Sequence, residues 1–340
     1  MIPTCATYPK FRGEGLIEFT EQPVPQAGPG QLLVQCKANA LCASDLGGYR
    51  RGSTITLGHE IAGVVVQAGP ATKIAVGRVG VVFLMDFCGT CRSCRLGLTN
   101  QCLQKRADYG FNRDGGYGPY ALINENVFFP IDQDIPLDQA TLLLDIMGTG
   151  GHALARGQLV HPDVQSLLVT GAGPIGLGVL AMAKILMGAD FPVLITDLVP
   201  YRLKLAETLG GLPVNIQTGT LADGLAYHGF QSVDLAIDAS GKTSARRTAL
   251  DSLAKRGVLV CVGHGEGLDL VVSPDLIAME RAILGSEYFC FNELAGNLVR
   301  LRQHQAYLSQ IITHHYPVGE LGAAFTHFIG GETGKVIVVQ

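Results

Sequence analysis

Along roughly the first 140 residues the chain alternates short apolar-rich runs with turns containing Gly and Pro. The runs at 15–25 (GLIEFTEQPVP), 31–41 (QLLVQCKANAL), 59–69 (HEIAGVVVQAG), 79–87 (VGVVFLMDF) and 120–130 (YALINENVFFP) predict a β-rich region. From about Asp145 to Ser286 the pattern changes to buried-type strands alternating with helical segments. Strands are predicted at 166–171, 193–197, 233–239 and 258–263, and helices at 175–188, 201–210 and 243–257, which is a parallel, doubly wound α/β pattern. The remaining stretch, from about Glu287, reads as a helix at 293–305, an apolar helix or strand region, and a closing strand at 335–340. The fold class is therefore α/β: a Rossmann-type doubly wound parallel sheet beside a β-rich domain.

The uncharged run from Val164 to Ala183 has the length of a membrane span, but Gly171, Gly173, Pro174, Gly176 and Gly178 interrupt it, so it divides into a strand and a helix. Its 25 Lys and Arg against 29 Asp and Glu give a net charge of −4, with no basic field for nucleic acid or an anionic membrane. A 47% hydrophobic composition supports a buried core, and 44 glycines imply many tight turns. The opening MIPTCATYPKFRGEG lacks the apolar core of a secretory signal, which makes a cytoplasmic, reducing environment the expectation.

In that setting the clustering of cysteines reads as metal binding. Cys88, Cys91, Cys94 and Cys102 form C-x2-C-x2-C-x7-C, a set of four thiolates able to fill every position of a tetrahedral, structural Zn2+. An iron–sulfur cluster also takes four Cys, but nothing else in the chain asks for one. Cys36 and Cys261 lie in apolar strands and read as inert core.

The second motif is Gly171-Ala-Gly173-Pro174-Ile175-Gly176, placed between a predicted strand and helix. Asp197 ends the next strand 21 residues past Gly176, where a carboxylate takes the ribose 2′-hydroxyl. Its charge favours NAD over NADP. Arg202 reads equally as an adenosine contact or as a solvated helix residue.

The segments Cys42-Ala-Ser44-Asp45, Gly58-His59-Glu60 and Asp145 are unremarkable one by one. Together with the cysteine tetrad, LGHEIAGVV at 57, DGGYGPYALI at 114, TGGHA at 149, GAGPIG at 171 and the closing GGETGKVIVV, the chain resembles the zinc-dependent medium-chain dehydrogenase/reductase family over nearly its full length. This family comprises alcohol, polyol, sugar and threonine dehydrogenases. The resemblance implies a GroES-like catalytic domain built from both chain ends, residues 1–147 and 287–340 with a zinc lobe at about 86–104. It also implies a Rossmann NAD-binding domain at 148–286. By the same resemblance Cys42, His59 and Asp145 ligate a catalytic zinc, Glu60 enters or leaves its shell, and Ser44 hydrogen-bonds the substrate oxygen. Thr149 and Gly263 fall on the nicotinamide side. The expected partners are a small alcohol or ketone and further copies of the chain in a homodimer or homotetramer, with no nucleic acid and no membrane.

Three departures from the family pattern matter. Gly47-Gly48 follows CASDL where many relatives carry a His that relays protons. The turn before the tetrad strand is shortened to Gly77-Arg78-Val79. Asp145 replaces a thiolate, giving a harder zinc environment. The missing His and the carboxylate ligand tilt the expected substrate towards a secondary alcohol of polyol, sugar or cyclitol type. The alternatives are a simple alcohol, threonine, or a phosphorylated polyol held by Arg50 and Arg51, which otherwise read as solvated. Tyr49 is a candidate pocket residue on the same predicted loop, and Phe83, Phe87 and Phe111 are candidates for a cleft wall or for core. A non-catalytic NAD-binding redox sensor is the alternative from another class.

Overall fold

A computed structural model describes residues 1–340. The larger sheet has seven strands, ordered Ile312–Pro317, Lys335–Val339, Gln31–Ala40, Glu60–Ala68, Val79–Val82 and Phe128–Pro130, with Tyr120–Asn124 also paired to Gln31–Ala40. All pairs are antiparallel except Ile312–Pro317 with Lys335–Val339. The central strand Gln31–Ala40 buries Leu32, Leu33, Val34, Cys36, Ala38 and Ala40, as its near-continuous apolar run requires of a strand paired on both edges. The late strand Lys335–Val339 hydrogen-bonds directly to it, so segments from both ends of the chain share one sheet.

The second sheet has six parallel strands ordered Leu212–Asn215, Val193–Asp197, Leu167–Thr170, Val233–Asp238, Leu253–Cys261 and Ala282–Gly285. In chain order this is 3-2-1-4-5-6, the doubly wound arrangement, and the strand order reverses beside Leu167–Thr170. That strand is buried at all four positions, and helices Pro174–Met187, Pro200–Thr208 and Thr243–Asp251 cover the sheet. No helix is long and apolar enough to cross a membrane.

Several elements differ from the sequence pattern, each for a local reason. Strand Cys5–Gly13 is not evident from periodicity because Pro9, Lys10 and Arg12 interrupt its apolar positions; it forms a hairpin with Leu16–Pro23. The run at 79–87 changes sheets after Val82, and Met85–Asp86 pairs with Ala107–Asp108. The run at 120–130 breaks at the helical turn Glu125–Val127. The helix expected over 243–257 stops at Asp251, and Leu253–Cys261 is a strand. Leu253 pairs with Val233, Arg256 takes φ +63°, and pairing resumes at Val258. The apolar region after residue 305 contains both a strand, Ile312–Pro317, and a helix, Leu321–Gly330. His315 of that strand bonds Asp138, while His314 packs against His327.

Candidate active site between the two sheets

A cleft of about 540 Å³ lies between the two sheets. One wall carries Cys42, Ser44, His59 and Phe111, and the other carries Thr149, Ile175, Val262 and Gly263. Cys42 follows the central strand at the start of the helical turn Ala43–Asp45, and its N–H donates to Asp45 Oδ2 at 3.3 Å. His59 precedes strand Glu60–Ala68, and Asp145 opens the turn before helix Gly150–Gln158. These separate segments bring ligand atoms of Cys42, His59, Glu60 and Asp145 within 4.8 Å of one another.

Groups behind these donors fix their directions. Asp45 Oδ1 lies 3.2 Å from His59 Nδ1, while Asp45 Oδ2 accepts the Tyr117 hydroxyl at 2.8 Å. The imidazole is thereby aimed so that Nε2 lies 3.5 Å from Asp145 Oδ2. Lys335, fully buried, donates to Glu60 Oε1 and lies 3.9 Å from Asp145 Oδ2. Glu60 Oε2 has no partner.

The electrostatics describe a crowded set of anions. Burial pushes the Cys42 thiol and the Glu60 carboxyl up, with Asp145 adding to both. Burial opposes charge at His59 too, yet Asp45 and Asp145 hold the imidazolium well above its usual range. Burial likewise opposes ionisation of Asp145, but the His59 hydrogen bond and Lys335 hold its carboxyl low. Three buried carboxylates and a thiol thus face one lysine and one imidazole. A divalent cation fits this donor set, the open Glu60 oxygen included.

The tetrad is assembled differently. Cys88 Sγ lies 4.0 Å from Cys94 Sγ, and Cys91 Sγ lies 3.9 Å from Cys102 Sγ, the edge lengths of a tetrahedron about one ion. Amide N–H groups of Cys88, Thr90, Cys91 and Gln104 point at the sulfurs. The Thr90 amide and hydroxyl pull the Cys88 thiol down to about 6.

At the reversal point of the parallel sheet, Gly171 has φ +93°, and a Cβ on Gly176 would stand 1.8 Å from the Gly171 carbonyl oxygen. Only glycine permits this turn, which leads into helix Pro174–Met187 with its N-terminus free for a phosphate. Asp197 Oδ2 accepts the Ala172 N–H at 2.7 Å, so the carboxylate sits against the glycine-rich turn. The Arg202 guanidinium also reaches this turn, 4.0 Å from the Cβ position of Gly173, and its Nε is buried without a partner.

Other sequence candidates fall elsewhere. The predicted loop at 47–52 is largely a helix, Leu46–Arg51. Tyr49 is buried in it, stacked on Phe325 at 4.3 Å, and does not line the cleft. Arg50 and Arg51 also lie outside the lining, which removes the structural support for a phosphate grip there. Phe83 is core and Phe87 packs against it, whereas Phe111 stands 4.8 Å from the His59 ring in the cleft wall. Sequence reasoning missed Asp45, Tyr117 and Lys335. A lysine opening the otherwise apolar KVIVV was a usable signal, and so was the carboxylate three residues after Cys42. Asp238 was missed as well; buried at the end of its strand, it bonds Thr170, Ser240 and Arg246 and so ties together the loops at the cleft floor.

Residues 28–133 match the alcohol dehydrogenase GroES-like domain, and residues 174–302 match the zinc-binding dehydrogenase domain. The chain is 32% identical over 345 residues to an L-threonine 3-dehydrogenase of Shewanella woodyi, covering 97% of this chain and 98% of the relative. An alcohol dehydrogenase of Escherichia coli solved with NADH superposes with TM-score 0.89 at 23% identity, over 99% of this chain and 100% of that one. The 2R,3R-butanediol dehydrogenase of Bacillus subtilis superposes with TM-score 0.86 at 22% identity, over 98% and 99%.

Proposed function

The chain belongs to the zinc-dependent medium-chain dehydrogenase family, and from that premise we propose that it interconverts a secondary alcohol of polyol, sugar or cyclitol type and its ketone, using NAD. The single observation that carries this reading is the shared cleft, where the donors Cys42, His59 and Asp145 face Thr149, Ile175 and Gly263 across one cavity. When bound, zinc supplies Lewis acidity at the carbinol oxygen and the nicotinamide supplies the hydride acceptor.

The chain's own groups do the rest. Cys42, His59 and Asp145 hold the metal, with Glu60 as the exchangeable fourth donor balanced by Lys335. Asp45 fixes the His59 ring. Ser44, exposed in the cleft, takes the substrate hydroxyl's proton and passes it to water, since no His follows Asp45. Asp197 receives the adenosine ribose, its charge disfavouring a 2′-phosphate, and Arg202 lies along the adenosine. The tetrad holds the structural zinc.

The boundaries that fit these roles are 1–147 with 287–340 for the catalytic part, including a zinc lobe at 86–104, and 148–286 for the cofactor part. A homodimer or homotetramer is the proposed assembly. The free edge strand Ala282–Gly285 and the exposed Leu270, Val271, Val272 and Ile277 support it. A reducing, cytoplasmic setting suits four zinc-binding thiols.

A β-hydroxy amino acid is a second reading. The Lys105–Asp108 ion pair, 2.9 Å apart and lining the cleft, favours it because the pair offers one charge of each sign to a zwitterion. NADH formation by zinc-loaded protein across polyols, cyclitols, sugars, threonine and simple alcohols tests both readings, with Cys42→Ser as control. Turnover confined to polyhydroxylated substrates and lost in the control is the expected result. Turnover of threonine alone would select the second reading, and turnover undiminished in the control would overturn both.

A further inference from the structure

Away from the cleft cluster and the tetrad, a further group of metal-binding side chains converges: His152, Cys290 and Glu293 each bring one donor atom within 4.8 Å of the other two. None of the three lines the cleft. His152 lies in the first turn of helix Gly150–Gln158, whereas Glu293 opens helix Glu293–Gln303 and Cys290 stands just before it.

Glu293 Oε1 lies 2.7 Å from His152 Nδ1 and also accepts the Cys290 N–H at 3.1 Å, so imidazole and carboxylate are held together at the helix start. The Cys290 thiol is buried and donates to Asn100 Oδ1 at 3.2 Å. Asn100 is fixed in turn, because its Nδ2 donates to the Glu287 carbonyl at 2.7 Å. Its amide oxygen is therefore a fourth donor, set beside the sulfur. An ion enters past Glu293, whose side chain is 31% exposed, and His152, whose side chain is 11% exposed. Helix capping explains the bond from the Cys290 N–H, and an ion pair explains His152. Neither calls for a thiol, which elsewhere in a core serves as a small hydrophobe but here faces an amide oxygen, a carboxylate and an imidazole.

Imidazole, thiolate and carboxylate together suit a borderline-soft divalent ion such as Zn2+ or Co2+, whereas Mg2+ and Ca2+ take oxygen shells. Two such donors on a tetrahedral ion stand roughly 3.3 Å apart, so the ion replaces the hydrogen bond between His152 and Glu293 and moves the carboxylate by about half an ångström. It also takes the place of the thiol proton, which leaves to solvent. Because contacts already made must yield to it, the ion is held less tightly here than in the tetrad or the cleft.

We propose that His152, Cys290 and Glu293 form a third, exchangeable site for a divalent transition-metal ion, with Asn100 Oδ1 or water in the fourth position. An ion there ties the helix that follows Asp145 to the cysteine-rich lobe and to the chain just beyond the cleft-lining residues Ser286, Glu287 and Tyr288. The inference does not depend on which substrate the cleft takes, and its test does not read turnover.

Protein loaded with zinc in the tetrad and the cleft, then dialysed free of loosely held metal, is titrated with cobalt(II). Equilibrium dialysis with atomic spectroscopy counts bound cobalt and retained zinc, and ultraviolet absorption follows thiolate-to-cobalt charge transfer. One cobalt per chain is expected to bind with all zinc retained, and the thiolate band should grow in proportion. Cys290→Ser should abolish the band, and Cys290→Ser and Glu293→Gln should each weaken cobalt binding about 10-fold or more. Should Cys290→Ser fail to fold, Glu293→Gln carries the test, because it keeps an oxygen to accept from His152 and from the Cys290 N–H. Cobalt uptake only by exchange with zinc, uptake without the thiolate band, or uptake unchanged in Glu293→Gln overturns the proposal. Displacement of the cobalt by an equal concentration of magnesium overturns it too, since it would assign the ion to an oxygen-only surface site.

Discussion

The tetrad and the cleft cluster are both built to surround a cation, yet they differ in almost every other respect. Cys88 to Cys102 lie within fifteen residues of chain, half-buried, with backbone amides aimed at the sulfurs. In the cleft, His59, Glu60 and Asp145 are buried, Cys42 opens on the cavity, and the lysine that balances them lies 275 residues after Glu60. The first is a local solution in which the backbone itself stabilises thiolates. The second depends on tertiary structure: the donors arrive on three separate segments, and His59, Glu60 and Asp145 are held by further side chains. A site that must leave a position open for substrate cannot surround its ion with one short loop, so it recruits its support from the core.

The largest effect that would break this comparison concerns the open position. Cys42→Ser is expected to lower kcat/KM by about 1,000-fold or more, since the metal's contribution of several kcal/mol is lost, and to halve the zinc content measured by atomic spectroscopy. Cys91→Ser should halve the zinc content too, but its signature lies elsewhere: amides of 88–104 exchange faster while those of strand Gln31–Ala40 keep their protection. If both variants lost activity and global protection alike, the two clusters would not be independent.

Next comes the support. Lys335→Met leaves Glu60 and Asp145 buried without their cation and is expected to cost about 3–5 kcal/mol in urea unfolding of the metal-free protein. Adding Glu60→Gln should return much of that loss, a coupling read from the double-mutant cycle. Simple additivity of the two substitutions would show that the ion pair is not a unit. A smaller effect sharpens the contrast: Asp45→Asn should weaken zinc binding about 10–100-fold in the cleft, measured by competition with a chelator, and leave the lobe zinc in place.

The same contrast explains how much could be read from the sequence. The tetrad was legible because its information is spacing along the chain, and so was the glycine-rich turn, where Gly171 and Gly176 are required by a backbone contact between them. The four inner strands of the parallel sheet were legible as mainly apolar runs, whereas its edge strands Leu212–Asn215 and Ala282–Gly285, short and only partly buried, were not. Cys42, His59 and Asp145 became candidates only through resemblance, since nothing local distinguishes them. Lys335 was hidden because a lysine at the head of a strand ordinarily reads as a solvated end, and only the pairing of Lys335–Val339 with the central strand buries it. Tyr49 was misread as a pocket candidate because the two glycines before it suggested a loop, while packing on Phe325 stabilises a helix; Arg50 and Arg51 are exposed, in keeping with their reading as solvated residues. Strand Cys5–Gly13 escaped notice because its partner hairpin, not its own periodicity, makes it a strand.

The position of Lys335 also has a consequence for synthesis. During translation, Cys42, His59, Glu60 and Asp145 all leave the ribosome long before the strand that carries their balancing cation. Until that strand inserts beside Gln31–Ala40, the nascent chain holds the donors of an anionic pocket without the charge that lets them share it. The cleft cluster is therefore completed only when Lys335–Val339 joins the sheet, so it cannot form before residue 335 has been made.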